Sequence, residues 1–183
     1  MALIDGLEYG PLSGLIGTWK GSKGTDHSPL PNGAEDIAYR ETIVFEAAGW
    51  VKNAGTQTLA IVRYHQSVQR VDTGEGFHDQ IGYWTWDSAT NTIAQSLNIP
   101  RALALLAGGS AKQDDTVLEV SAKAGDPTWG IVQSPFLREK AETVAFRQKL
   151  SIGTSELSYS QTTSLKIYGR DFEHTDESVL YRS

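Results

Sequence analysis

The chain has 183 residues, of which 39% are hydrophobic and 21% are charged, so it has enough apolar surface for a packed core and too little charge for a disordered chain. It has 16 lysines and arginines against 22 aspartates and glutamates, and a net charge of −6 argues against a nucleic-acid partner. Cysteine is absent, which excludes disulfides and cysteine-bound zinc.

Neither export nor membrane insertion is predicted. The N-terminal segment, residues 1–8, has no basic region followed by a long apolar stretch. The longest mostly apolar run, residues 99–109, is interrupted by Pro100 and Arg101 and is too short to cross a bilayer. We therefore expect a soluble, cytoplasmic protein that forms a single domain over residues 1–183, since closed β-sheets often reach this length undivided.

The first predicted elements are a short helical segment at residues 11–15 and a strand that begins near Trp19. Glycines on both sides of a bulky residue mark a place where two backbones approach closely, so Trp19 is predicted to fill the closed end of a small barrel. Residues 26–35 contain two prolines, an asparagine and a glycine, and this composition predicts a loop.

Strand patterns dominate the rest of the chain. Apolar and polar residues alternate from Ile37, which predicts a strand with one buried face, and a second alternating run covers residues 56–68. After a hairpin loop at residues 72–76, aromatic and β-branched residues predict a strand over residues 77–86. Further strands are predicted at residues 92–97, 117–122, 128–133, 143–152, 157–168 and 178–182.

Residues 100–109 form the one segment without alternation. Pro100 at its start, several good helix formers and the pair Gly108 and Gly109 at its end predict a short helix near residues 100–107 or an apolar lid over a barrel mouth. A strand of the same composition would have a similar pattern, so this alternative stays open.

Closely spaced strands joined by short turns, without alternating helices, predict an antiparallel closed sheet rather than a βαβ fold. The expected fold class is all-β: a single antiparallel up-and-down β-barrel of about ten strands, with short helical segments at the N-terminus and near residues 100–107. A barrel of this size has room inside for one small ligand.

Three pieces of the sequence resemble family signatures, and they occur in the family's order. Gly17-Thr18-Trp19 resembles the start of the calycins, which include lipocalins and fatty-acid-binding proteins, and residues 15–24 are similar to the Gly-x-Trp-x-Gly-x-Gly opening of nitrobindins. Residues 77–83 resemble the nitrobindin segment His-x-Glu-x-Gly-Tyr/Phe, with Gln80 at the glutamate position. Residues 156–159 precede a C-terminal strand that carries His174 and Arg182. From residue 14 to residue 182 the chain resembles the nitrobindin family of haem-binding β-barrels.

The resemblance implies a haem b cofactor whose iron is bound by a histidine in the last region, where this chain has His174. It also implies the handling of nitric oxide or peroxynitrite, with peroxynitrite isomerase activity if haem is bound. A neutral imidazole binds iron through one nitrogen while an acceptor holds the other, and Glu173, Asp176 and Glu177 are candidates for that acceptor. The polar surroundings of His174 are also typical of a surface histidine in a charged turn.

A second group of candidate residues lies on one face of the aromatic strand, and consists of His78, Gln80, Trp84 and Trp86. If they face inward, they give the cavity a wall of aromatic rings with one amide, which suits a flat apolar ligand. If they face outward, the aromatic pair covers the barrel exterior or forms a contact in a homodimer. A shift of one residue in register exchanges the two faces, so both orientations stay open.

Two main hypotheses for function follow. In the first, the barrel binds haem, with His174 as the metal ligand and the second group in contact with the cofactor. In the second, a haem-free barrel carries a hydrophobic small molecule or fatty acid, using Tyr83 with the aromatic pair as a wall and residues 103–106 as a lid. Motifs of known hydrolases, nucleotide-binding enzymes and metalloproteases are absent, which leaves an enzyme without a recognisable motif as a third hypothesis.

Trp19 and Arg182 are predicted to have a structural role. Arg182 lies at the end of the last predicted strand, where calycins often place a basic residue across the tryptophan of the first strand. A cation–π contact of this kind contributes roughly 0.5–2 kcal/mol, depending on how far it is desolvated.

Overall fold

The computed structural model describes residues 4, 6–52, 55 and 57–183. Residue 56, the first of the predicted 56–68 strand, lies outside them. The two short helices of this part of the chain are a 3-10 helix at Gly10–Leu12 and an α-helix, α1, at Pro135–Lys140. The strands of the same part are β1 (Gly17–Leu30), β2 (Gly33–Val51), β3 (Leu59–Arg70), β4 (Gly76–Asp87), β5 (Thr92–Ile99), β6 (Leu103–Ser110), β7 (Val117–Lys123), β8 (Ile131–Gln133), β9 (Ala141–Ile152), β10 (Glu156–Ile167) and β11 (Arg170–Arg182).

Ten of these strands close into an antiparallel barrel. Their order around the ring is β5-β4-β3-β2-β1-β11-β10-β9-β7-β6, and the pairing of β5 with β6 completes the circle. The remaining strand, β8, pairs with the first half of β6, whereas the second half of β6 meets β7. The expectation of an all-β, antiparallel barrel of about ten strands is confirmed.

Residues 26–35 do not form the predicted loop. Residues 26–30 continue β1, residues 33–35 begin β2, and only residues 31 and 32 form the turn between them. Pro29 is tolerated because it lies at the end of the ladder, opposite Ala34, where few backbone hydrogen bonds remain to be made. The prediction from composition was wrong, and its correction matters because it places Asp26 in a strand.

The predicted helix near residues 100–107 is also wrong. Residues 100–102 form a tight turn, in which Ala102 has a φ of 59°, and residues 103–110 form β6. Leu103 and Leu105 face the barrel interior, whereas Leu106 faces outward. Pairing with β5 along the whole of β6 outweighs the helix propensity of alanine and leucine. The helical segment expected at the N-terminus is present as the 3-10 helix.

One end of the barrel is closed by Trp19, which is fully buried. Its indole Nε1 donates a hydrogen bond to the Leu15 carbonyl at 2.6 Å, and the Arg182 guanidinium lies 4.2 Å from its ring centroid. Arg182 also donates to the carbonyls of Gly14 and Ile16, at 2.8 and 2.6 Å. The predicted cation–π pair is therefore confirmed. Gly17 has a φ of 135°, a backbone conformation that other residues rarely adopt, which explains the glycine.

Among the described residues, no helix is both long enough and apolar enough to span a membrane.

Candidate functional site

A cavity of about 440 Å³ lies at the end of the barrel opposite Trp19. β1 and β11 define the two ends: β1 begins near Trp19 and ends past Asp26, while β11 begins near His174 and ends at Arg182. The apolar part of the lining includes Leu97, Leu103, Leu105, Leu137, Phe146 and Leu165. The polar part includes both predicted histidines, His78 and His174, together with carboxyl, amide and tyrosine side chains.

His174 faces this cavity from β11 and contacts two carboxyl groups. Its Nε2 lies 3.0 Å from Asp26 Oδ2 and 3.7 Å from Asp176 Oδ1. Because a carboxylate can only accept, Nε2 carries the proton of the shorter bond. The side chains of Asp26, His174 and Asp176 are 6%, 26% and 17% exposed, so His174 is not a surface histidine in a turn.

The β-sheet register explains why these side chains meet. Asp26 lies directly opposite Asp176 in the β1–β11 pair, and His174 is two residues from Asp176 on the same face of β11. Asp176 was among the acceptors expected for the ring nitrogen that does not bind iron, but Asp26 and Asp176 both contact the same nitrogen, Nε2, and Glu173 and Glu177 are not its partners. Sequence reasoning missed Asp26 because residues 26–35 were assigned to a loop.

The three groups shift one another's pKa values. Burial favours the neutral acid at Asp26, but hydrogen bonds from His174 and its neighbours outweigh burial and lower the pKa of Asp26. Burial and the nearby Asp26 raise the pKa of Asp176 to about 7. Burial lowers the pKa of His174, but the two carboxyl groups more than compensate and raise it. The protonation of each of these three groups therefore depends on the charge of the other two, in a site that is largely shielded from water.

His78 also faces inward, which settles the orientation of the aromatic strand. Its Nε2 donates to Gln80 Oε1 at 3.2 Å, and Gln80 Nε2 donates to the Tyr64 hydroxyl at 2.8 Å. Burial lowers the pKa of His78, so this imidazole is neutral near pH 7. β4 and β11 are separated by β3, β2 and β1, which places His78 across the barrel from His174.

Trp84 and Trp86 face inward but lie deeper than the cavity. Both are buried, and neither is among the residues that line it. Trp86 Nε1 donates to the Ala111 carbonyl at 2.9 Å, and its ring packs against Gly10, where a Cβ would clash with it. Tyr83 points outward with 47% of its surface exposed, so it does not belong to the predicted wall. The aromatic pair is thus core rather than lining.

The lid of the cavity differs from the predicted one. Leu103 and Leu105 do line the cavity, but they do so from strand β6. A helical cover is provided instead by α1, whose Leu137 reaches the lining. Ser134 caps this helix by accepting from Leu137 N, and Pro135 follows it. Serine before proline is a helix-start signal, so α1 could have been found in the sequence.

A buried polar cluster lies beside the cavity and was not anticipated. Glu41 Oε2 accepts from the Tyr159 hydroxyl at 3.0 Å and from Gln66 Nε2 at 2.6 Å, and the hydroxyls of Tyr39 and Tyr159 lie 2.7 Å apart. Burial raises the pKa of Glu41, and its Oε1 has no hydrogen-bond partner among the described residues. The period-two alternation from Tyr39 to Phe45 places Glu41 inward, so this signal was present in the sequence.

Comparison with known proteins agrees with the barrel. The family model of the THAP4-like, heme-binding beta-barrel domain matches residues 8–182. No match was found among curated proteins. Among solved structures, the chain is similar to Rv2717c from M. tuberculosis, with a TM-score of 0.70, 23% sequence identity and 94% of each chain covered. At this identity the likeness shows the fold alone.

The family match covers nearly the whole chain and confirms the resemblance found in the sequence. The family's description names haem as its ligand, which is consistent with the haem cofactor expected for this chain. The chain therefore belongs to the family of THAP4-like, haem-binding β-barrel domains.

Proposed function

We propose that this barrel binds one haem b in the cavity at the end opposite Trp19, here called the open end, with His174 as the residue that holds the iron. The observation that carries the proposal is an imidazole that faces a cavity with an extensive apolar lining. Apolar walls with a few convergent polar groups are typical of sites for flat organic ligands.

The residues present fit this group. Leu97, Leu105 and Phe146 come from three different strands and offer apolar contacts to the faces of a macrocycle. Arg101 is the one permanently charged cation among the described lining residues, and it is suited to a ligand carboxylate. His174 supplies the imidazole. If Nε2 binds the iron, it cannot also donate to Asp26, so that hydrogen bond would be given up.

The protein residues then have separate tasks. The apolar walls exclude water from the ligand, and His174 fixes its position. His78, neutral and held by Gln80, faces the cavity from the other side and can offer a polar contact there. Haem iron would supply an open coordination position for a small molecule such as nitric oxide or peroxynitrite. In its most specific form, the proposal is that the haem-loaded barrel isomerises peroxynitrite.

A haemin titration followed in the Soret region tests the proposal. The native chain is expected to give a sharp band at one equivalent, and His174→Ala to shift this band or weaken binding by about tenfold or more. His65→Ala is the matched control, because His65 pairs with Asp79 on the exposed outer face. A native chain that gives no stoichiometric band contradicts the proposal, and so does an unchanged band in His174→Ala.

The second candidate function is a haem-free carrier of a hydrophobic small molecule or fatty acid. One observation favours it: Nε2 of each cavity histidine already has a partner in the protein. The carrier would use the same walls and would need no iron ligand. Displacement of a fluorescent fatty-acid analogue, with no Soret band on addition of haemin, is the result that selects this function.

A cytoplasmic homodimer remains part of the proposal. Ile81 and Tyr83 of β4 and Leu106 of β6 are exposed on the outer face of the barrel, with only β5 between the two strands, which supports a contact between two copies. Light scattering of the native chain and of Tyr83→Glu tests it, since a charge at the centre of such a contact should shift the mass to that of a monomer. A native mass equal to that of one chain contradicts the dimer.

A further inference from the structure

Asp26, His174 and Asp176, here called the acid–imidazole cluster, bring three ligand atoms to one place. One nitrogen and two oxygens all lie within 4.8 Å of one another, and Nε2 of His174 is 3.0 and 3.7 Å from the two oxygens. Around a tetrahedral ion with bonds of about 2.0–2.2 Å, ligand atoms lie about 3.3–3.6 Å apart. The two distances from His174 Nε2 are within a few tenths of an ångström of this range, and the two oxygens lie close enough to share one ion after a modest adjustment of their side chains.

A neutral donor holds one oxygen of each carboxyl group, and the other oxygen of each group faces His174. Ser28 Oγ donates to Asp26 Oδ1, and Gln161 Nε2 donates to Asp176 Oδ2 at 3.2 Å. The other oxygen of each group, Oδ2 of Asp26 and Oδ1 of Asp176, is the one that faces His174. Metal-binding carboxylates are commonly oriented in this way, with the non-ligating oxygen held by a neutral donor.

The backbone also fixes the cluster. Asp26 and Asp176 are directly paired residues of two long neighbouring strands, so their separation is set by the sheet. Gln161 of β10 is held in turn by Gln148 Nε2 of β9 at 3.0 Å, which extends the ordered shell to a third and a fourth strand. Ligands on strands are more precisely positioned than ligands on loops.

We propose that, in the haem-free protein, the acid–imidazole cluster binds one divalent transition-metal ion through Nε2 of His174, Oδ2 of Asp26 and Oδ1 of Asp176. One imidazole and two carboxylates suit Zn²⁺, Co²⁺, Mn²⁺ and Fe²⁺ better than soft ions such as Cu⁺. The remaining coordination positions face the cavity, where water or a ligand can occupy them. This site does not depend on haem binding. When haem iron is also bound through Nε2, the two metals compete for one nitrogen and exclude each other.

Titration of the chelator-treated, haem-free chain with Co²⁺, followed by visible absorption and calorimetry, tests the site. We expect one equivalent to bind with d–d bands of nitrogen and oxygen ligation, and Asp26→Asn and Asp176→Asn each to weaken binding by about tenfold or more. Asp79→Asn is the matched control, because Asp79 forms a carboxylate–histidine pair with His65 that no second carboxylate joins within the described part of the chain. This control is expected to bind like the native chain.

Two outcomes would overturn the proposal. One is a native chain that binds no stoichiometric Co²⁺; the other is a loss of affinity in Asp79→Asn equal to that in the cluster variants. The Co²⁺ titration of the native chain does not depend on whether any variant folds. Circular dichroism checks that the variants are folded. Separate titrations of the metal-free chain with haemin and of the haem-free chain with Co²⁺ distinguish the two proposals: metal binding without haem binding supports this site alone, whereas haem binding without metal binding refutes it alone.

Discussion

The two ends of this barrel are built from the same pair of strands and differ in what their inward side chains do. At the closed end, β1 and β11 bring Trp19 opposite Arg182. At the open end the same strands bring Asp26 opposite Asp176, with His174 beside them. A register shift between Lys20 and Thr25 separates the two pairs, and packing dominates one end while ionisable groups dominate the other.

Burial of charged groups opposes folding at the open end but not at the closed end. Trp19 is fully buried with its indole N–H satisfied, so it contributes apolar burial at no electrostatic cost. The acid–imidazole cluster places three titratable groups in a partly dry cavity, which opposes charge on each of them. The closed end should therefore carry stability, and the open end should carry binding.

The largest effect on stability is expected from Trp19→Ala. Removing a fully buried indole leaves a cavity and strips Arg182 of its aromatic partner, so the free energy of unfolding should fall by about 3–5 kcal/mol. Chemical denaturation checks this value. Trp50→Ala is the matched control, because Trp50 is exposed and should change stability by less than about 0.5 kcal/mol. Equal losses of stability in Trp19→Ala and Trp50→Ala would contradict the claim that the closed end carries the stability.

Arg182→Ala should have the next largest effect. The change removes the cation–π contact and the hydrogen bonds to the carbonyls of Gly14 and Ile16, which together are worth about 1–2 kcal/mol at this partly exposed position. Haemin affinity should stay nearly unchanged, since Arg182 is far from the cavity lining. A loss of stability below about 0.3 kcal/mol would count against the contact.

Glu41→Gln should alter how stability depends on pH. Burial raises the pKa of Glu41 above 4.5, so the folded chain keeps a proton that the unfolded chain loses. The native free energy of unfolding should fall as pH rises from 4.5 through the folded-state pKa, by at most about 1.4 kcal/mol per pH unit from this group. The glutamine variant lacks this slope. Parallel pH slopes for the two proteins would show that Glu41 does not titrate differently on folding.

Arg101→Ala should have the smallest effect on stability, within about 0.5 kcal/mol, because Arg101 is exposed in the turn before β6. Haemin affinity should fall a few-fold at low salt, since haemin carries two carboxylates and the cavity has no other permanent cation among its described lining residues. Arg101→Lys should recover most of the affinity. Wild-type affinity in the alanine variant would argue that the ligand carboxylates lie elsewhere.

Local patterns in the sequence were sufficient for much of the barrel. Short-range patterns predicted the alternating strands and the position of Trp19, and the order of the family's motifs predicted the pairing of Arg182 with Trp19. The structure confirms these predictions. The helix prediction for residues 100–107 was wrong because the alanines and leucines of β6 are compatible with a helix, and only the pairing with β5 makes them a strand.

The site was less predictable because it depends on contacts between distant residues. Asp26 meets His174 across 148 positions of the chain, and only the β1–β11 register reveals the contact. His78 could face either way until the register was known. Glu41 was missed although the alternation along β2 was enough to place it inside.

The most direct test of the division between the two ends is amide and indole N–H nuclear magnetic resonance during titration with zinc protoporphyrin IX, a diamagnetic haem analogue. Signals of His78, Leu105 and His174 should shift, whereas the indole signals of Trp19 and Trp86, held by Leu15 and Ala111, should not. Shifts centred on Trp19 or on the outer face, with His174 unaffected, would contradict the assignment of binding to the open end.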